Sequence, residues 1–161
     1  MSGAGAPTAA EPADGTGLRV TVVAGTWHEQ IATGLLDGAT RALTASGASF
    51  DVLRVPGSFE LPVVCKAALE SGADAVVALG VIIRGGTPHF DFVASAATDG
   101  LTRVALDTGK PVGFGVLTLD DEQQGLDRAG FAGSKEDKGA EAANAAVATA
   151  RILASVRDQT R

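Results

Sequence analysis

The chain is 161 residues long, room for one domain with a substantial core and short for two. A net charge of −6 argues against a nucleic-acid face, and one cysteine among 161 residues excludes a disulfide framework and a multi-thiolate zinc site. Aromatics supply only 4% of the residues, and the 21 glycines are about twice the usual share, a balance that suits close-packed aliphatic α/β layers.

Taken in chain order, residues 1–17 are Gly, Ala, Pro, Ser, Thr and acids with no large apolar side chain after Met1. Such a stretch cannot offset its ordering entropy by burial, so a mobile tail is expected there, with a single α/β domain over residues 18–161. Neither a basic segment nor an apolar run opens the chain, and no apolar run reaches the ~18 residues of a membrane span, so a cytoplasmic protein is expected.

Leu18–Ala24 reads as a strand closed by Gly25. Ile31, Leu35, Ala39, Ala42 and Leu43 then fall at helical spacing, giving a helix from His28 to Ser46 that stops at Gly47. Phe50–Val55 is a second strand, ended by Pro56-Gly57, and a helix follows from Phe59 to Ser71 with Pro62 in its first turn. Ala75–Ile83 is almost unbroken apolar sequence, the pattern of a central parallel strand buried on both faces. The loop Arg84–Pro88 leads to a helix over His89–Thr108, a fourth strand over Pro111–Leu117, and two last helices near Asp121–Ala129 and Gly139–Arg157. In the last helix Ala143, Ala146, Ala150 and Ala154 recur at helical spacing and permit close packing.

The order βαβαβαβαα predicts a three-layer α/β/α fold: a four-stranded parallel sheet with helices on both faces. Ligands of such sheets bind beyond the carboxyl ends of the strands. The candidate loops are therefore Gly25–His28, Pro56–Glu60, Arg84–His89 and the stretch after Leu117.

Gly85-Gly86-Thr87 precedes a helix start, where glycine backbone, a hydroxyl and unpaired N–H groups can receive an anion. The same three residues also suit an ordinary βα turn capped by Thr87. His89 can pass protons near neutral pH or simply cap its helix. Arg128 and Lys138 either hold a phosphate or are solvated cations. Arg84 offers a second guanidinium for that task, or a salt bridge that fixes its own loop. Trp27 can stack on a heteroaromatic ring or plug a gap. Glu60 with Ser58 can bond hydroxyls, or Glu60 can favour a helix N-terminus. Cys65, among apolar neighbours, reads as an inert buried thiol. Neither a Walker A nor a G-x-G-x-x-G pattern is present, which disfavours nucleoside triphosphates and dinucleotides.

Four segments resemble the 6,7-dimethyl-8-ribityllumazine synthase family of riboflavin biosynthesis: Val55–Pro62, Gly80–Asp91 with its Ile83-Arg84-Gly85-Gly86-Thr87-Pro88-His89-Phe90 block, Phe114–Thr118, and Asp127–Gly130 with Lys138-Gly139. The resemblance runs in order from Leu18 to Arg157. It implies a flavodoxin-like sheet and a transferase that needs neither metal nor organic cofactor. It also implies condensation of 5-amino-6-(D-ribitylamino)uracil with 3,4-dihydroxy-2-butanone 4-phosphate. In that reading Trp27, where many members carry Phe, stacks on the pyrimidine beside His28, where Asn is common. Ser58, Phe59 and Glu60 line the ribityl and pyrimidine subsite, and Val81, Ile82 and Ile83 offer backbone groups to the pyrimidine edge. Gly86 and Thr87 hold the phosphate with Arg128, His89 transfers protons, Lys138 contacts ligand, and Phe114 comes from a neighbouring subunit. Pentamers with interface sites, sometimes packed into 60-subunit shells, and association with riboflavin synthase are also implied. The stretch Gly130–Lys138 is longer than in shell-forming members, which favours a free pentamer. Two other readings compete: a flavin-holding flavodoxin-like module and a shell protein with a decayed site. The first lacks its Ser/Thr-rich loop after the first strand, where Gly25-Thr26-Trp27-His28 stands, and the second is opposed by the presence of Glu60, Thr87, His89 and Arg128.

Overall fold

The computed structural model describes residues 5–6 and 11–160. Along the chain lie β1 (Arg19–Gly25), α1 (Glu29–Ser46), β2 (Ser49–Val55), a 3-10 turn at Ser58–Glu60, α2 (Leu61–Glu70), β3 (Ala75–Ile83), α3 (His89–Thr108), β4 (Val112–Leu119), α4 (Glu122–Leu126) and α5 (Lys138–Asp158). The strands form one parallel sheet in the order β2-β1-β3-β4. This is the expected three-layer α/β/α arrangement.

Successive strand side chains point to opposite faces, and the core divides accordingly. Val20, Val22, Val77 and Leu79 pack toward α1 and α5, against Ile31, Leu35, Leu43, Ala143 and Val147. Val23, Val76, Ala78 and Ile82 pack toward α2 and α3, against Leu61, Cys65, Leu69 and Leu101. β3 is buried along nearly its whole length because both layers need it. The alanines of α5 bring it close to α1, and a Cβ on Gly139 would run into the backbone carbonyl of Leu35. Ala143, Ala146 and Ala150 are buried, whereas Ala154, which continues the same stripe, is exposed.

Three segments differ from the expectation. The helix expected from Phe59 begins at Leu61, after a 3-10 turn. Pro62 has no N–H to give Ser58, so the α-helical ladder cannot reach further back. The turn closes instead through shorter bonds, from Glu60 N to the Gly57 carbonyl and from Leu61 N to that of Ser58. The helix expected over Asp121–Ala129 keeps only five residues, capped by Asp121, which accepts from Gln124 N. Beyond it Lys135 N and Glu136 N both donate to the Asp127 carbonyl, and Ala129 bridges Asp137, so the chain forms a compact loop. Much of the expected tail lies outside the described residues, but its end is held. Gly15 N donates to the Ser46 carbonyl at 2.7 Å, and Arg151 donates to the carbonyls of Asp14 and Thr16, both at 2.6 Å.

Candidate functional site

The loops after β1, β2 and β3 converge at the carboxyl edge of the sheet around a cleft of about 360 Å³. β1 delivers Trp27 and His28, and the turn after β2 delivers Ser58, Phe59 and Glu60. Val81, Ile82 and Ile83 form the floor at the end of β3, and Thr87 and His89 stand at the start of α3. Thr26 ties the first two loops by donating its hydroxyl to the Pro56 carbonyl at 2.9 Å.

The local sequence accounts for this convergence. Gly57 lies against the Trp27 ring, and a Cβ there would sit 3.2 Å from it. Any side chain there would therefore make the indole give way by a few tenths of an ångström. Ser58 is buried and its hydroxyl lies over Gly80, just before the floor residues on β3. Trp27 and Phe59 stay about two-thirds exposed (68% and 65%) although the chain has few aromatics, so folding alone does not account for their placement at the cleft mouth. His28 has φ 56° and ψ 64°, the sole non-glycine residue with positive φ among the described residues. Left-handed backbone on a residue with a Cβ costs of order 1–3 kcal/mol and concentrates at functional sites. Here it turns the chain from β1 into α1 and leaves Trp27 and His28 facing the cleft.

Phe114, Arg128 and Lys138 are elsewhere. They line a second cleft of about 310 Å³ along β4, with Gly115 and Thr118. The linings of the two clefts share no residue. Within one chain, therefore, Arg128 and Thr87 line different clefts. Arg128 donates Nη1 to the Gln124 carbonyl at 2.8 Å. Lys138 is largely buried between the carboxylates of Glu136 and Glu141, with both contacts at 2.7 Å. Burial works to lower its pKa, but the two carboxylates outweigh it and hold the ammonium above its ordinary value.

Residues 17–154 match the family model described as 6,7-dimethyl-8-ribityllumazine synthase. The chain belongs to that family. Curated 6,7-dimethyl-8-ribityllumazine synthases align along their whole length. That of Leifsonia xyli subsp. xyli is 76% identical, covering 98% of this chain and 99% of the relative. The Clavibacter michiganensis subsp. michiganensis protein is 70% identical over the same shares, and that of Streptomyces avermitilis is 60% identical with full coverage of both chains.

Four further residues of this family member line the first cleft: Gly57, Gly85, Phe90 and Val93. The Gly85-Gly86 pair already marks the turn, although Gly85 rather than Gly86 reaches the lining. Val93 lies one helical turn after His89, a spacing that places both on one face of α3. Among the described residues no three His, Cys, Asp or Glu side chains cluster as a metal would require, and no helix is long and apolar enough to cross a membrane.

Proposed function

We propose that the chain condenses 5-amino-6-(D-ribitylamino)uracil with 3,4-dihydroxy-2-butanone 4-phosphate to 6,7-dimethyl-8-ribityllumazine. This is the penultimate step of riboflavin biosynthesis, carried out in the cytoplasm by a transferase without a cofactor. The pyrimidine amine attacks the ketone and expels water to form an imine. Elimination then releases inorganic phosphate, and ring closure expels a second water. The observation that carries the reading is the first cleft, where an exposed indole, a carboxylate, a Gly-Thr turn at a helix start and an imidazole converge at the carboxyl edge of a parallel sheet.

Each residue has a task there. Trp27 stacks on the pyrimidine while His28 and Phe59 flank it. Glu60 and Ser58 accept and donate to ribityl hydroxyls. The backbone of Val81, Ile82 and Ile83 pairs with the pyrimidine edge. Gly86 and Thr87, at the positive end of the α3 dipole, take the phosphate, and His89 moves the protons that imine formation and elimination require. Phe114, Arg128 and Lys138 complete the site from a neighbouring subunit, which is why they stand on a separate cleft. A homo-oligomer, in our reading a pentamer, is further supported by exposed apolar side chains at β2 (Phe50, Val52, Leu53), on α3 (Phe92, Leu106) and at Phe114.

The test incubates both substrates with the purified protein and follows lumazine absorbance together with phosphate release, with light scattering on the same sample. Coupled appearance of both products above the uncatalysed rate supports the reading. A bound yellow ligand with no phosphate released would favour the flavin-holding alternative.

A further inference from the structure

Arg84 stands at the carboxyl end of β3 and touches the segments that carry both clefts. Its backbone N donates to the Leu119 carbonyl at the end of β4, at 2.8 Å. The side chain then turns toward α3. Its guanidinium lies 4.2 Å over the Phe90 ring, its Nη1 is 3.6 Å from the Asp91 carboxylate, and its Nε donates to Asp120 Oδ1 at 3.1 Å.

Asp120 continues the connection. Its backbone N donates to Gln124 Oε1 at 2.9 Å, and the Gln124 carbonyl accepts from Arg128 Nη1 at 2.8 Å. One ion pair and three hydrogen bonds, joined through the side chains and backbone of Asp120 and Gln124, therefore link the first turn of α3, which bears His89, through Arg84 to Arg128. Exposed ion pairs contribute little individually to stability. A planar cation held on one face by an aromatic ring and on its edge by two carboxylates has, however, a fixed orientation, and the loops attached to it share that orientation.

We propose that Arg84 is a positioning residue that sets the loop after β3 against the loop after β4, and with them the placement of Thr87 and His89 in one cleft and of Arg128 in the other. Arg84 itself lines neither cleft. The inference rests on the proposed reaction for its kinetic consequences, but not for its structural ones. Trp27, Phe59 and Glu60 belong to loops that Arg84 does not touch. Its loss should therefore disturb the phosphate-bearing substrate and spare the pyrimidine.

The experiment compares the wild-type protein with Arg84→Gln, Arg84→Lys and Asp120→Asn. A loop displaced by part of an ångström costs about tenfold in kcat/KM. We expect that loss for Arg84→Gln with the butanone phosphate varied, carried by a lower kcat and a raised KM for that substrate, with the KM of the pyrimidine substrate unchanged. Arg84→Lys should recover part of it, because charge survives while the stacked fork does not. Asp120→Asn should add nothing to Arg84→Gln in the double variant. Hydrogen exchange is measured alongside, and residues 85–91 and 120–128 should exchange faster in Arg84→Gln at an unchanged melting temperature. An equal rise in the KM of both substrates with a lowered melting temperature would show a merely structural role and overturn the proposal. So would unchanged kinetics with unchanged exchange. If the wild-type protein forms no lumazine, the proposed reaction fails and the exchange data alone decide the role of Arg84, faster exchange in both segments supporting it and unchanged exchange overturning it.

Discussion

Replacing Arg128 with alanine probes the account at the atom that should hold the phosphate. One guanidinium nitrogen is already committed to the Gln124 carbonyl, which orients the group and leaves its Nε–Nη2 edge for an anion. Two charge-assisted bonds to a phosphate are each worth about 1.5–3 kcal/mol, and they do not add fully. A loss of about 3 kcal/mol in the transition state corresponds to about 10²-fold in kcat/KM. Arg128→Lys keeps the charge and gives up the fork, so about a tenfold loss is expected. The fold should survive, because the alanine variant removes a single intrachain bond worth about 1 kcal/mol. The assay is steady-state lumazine formation with phosphate release, corrected for the uncatalysed reaction and run with the butanone phosphate varied. A kcat/KM within threefold of the wild type would refute the assignment of Arg128 to the phosphate.

Three further outcomes are expected. His28→Val should lower stability in urea unfolding by about 1–2 kcal/mol, because a β-branched side chain resists left-handed backbone, while His28→Asn should be neutral or stabilising; equal effects would contradict the strained geometry. Burial pushes the Cys65 thiol up to about 12, so a thiol reagent at neutral pH should label the native protein no faster than it unfolds, and rapid labelling would show the thiol accessible. Hydrogen bonds from Lys135 and then Gln123 hold the Asp127 carboxyl below its ordinary value. Its contribution to stability is thus present above about pH 4 and lost as pH falls through the lowered pKa, so the melting-temperature gap between wild type and Asp127→Asn should close on acidification below about pH 4. A gap that persists there would refute the pairing.

Some of this architecture was open to sequence reasoning because its cause is local. β3 and α3 have the expected bounds: the first is an uninterrupted apolar run, and the second lies between Pro88 and the left-handed Gly109. Three of the four candidate loops, those after β1, β2 and β3, line the first cleft, and glycines and polar side chains interrupting the apolar strands marked them in the sequence. What remained hidden depends on distant partners. Arg151 holds Asp14 and Thr16 from more than 130 positions away, and nothing in residues 14–16 announces it. The early end of α4 reflects the carbonyl of Asp127 collecting two later N–H groups. The division of the candidate residues between two clefts depends on how the strands lie side by side, which no local pattern shows. Phe114 on β4 and Arg128 and Lys138 beyond it line a cleft along β4, separate from the one that the loops after β1, β2 and β3 enclose. Hydrophobic pattern does not encode which strand lies at an edge.

The central claim built on that division is the proposal that each chain carries halves of two different sites and that a neighbour makes each whole. Subunit complementation tests it most directly. One variant carries Glu60→Ala and His89→Ala, which damage the first cleft, and the other carries Arg128→Ala, which damages the second. Each assembly alone should show little turnover above background. Co-expressed in equal amounts, random mixing around a ring would pair an intact first cleft with an intact second cleft at about one interface in four. The account predicts recovery to about a quarter of wild-type activity. Activity that stays at the mean of the two parents would contradict it.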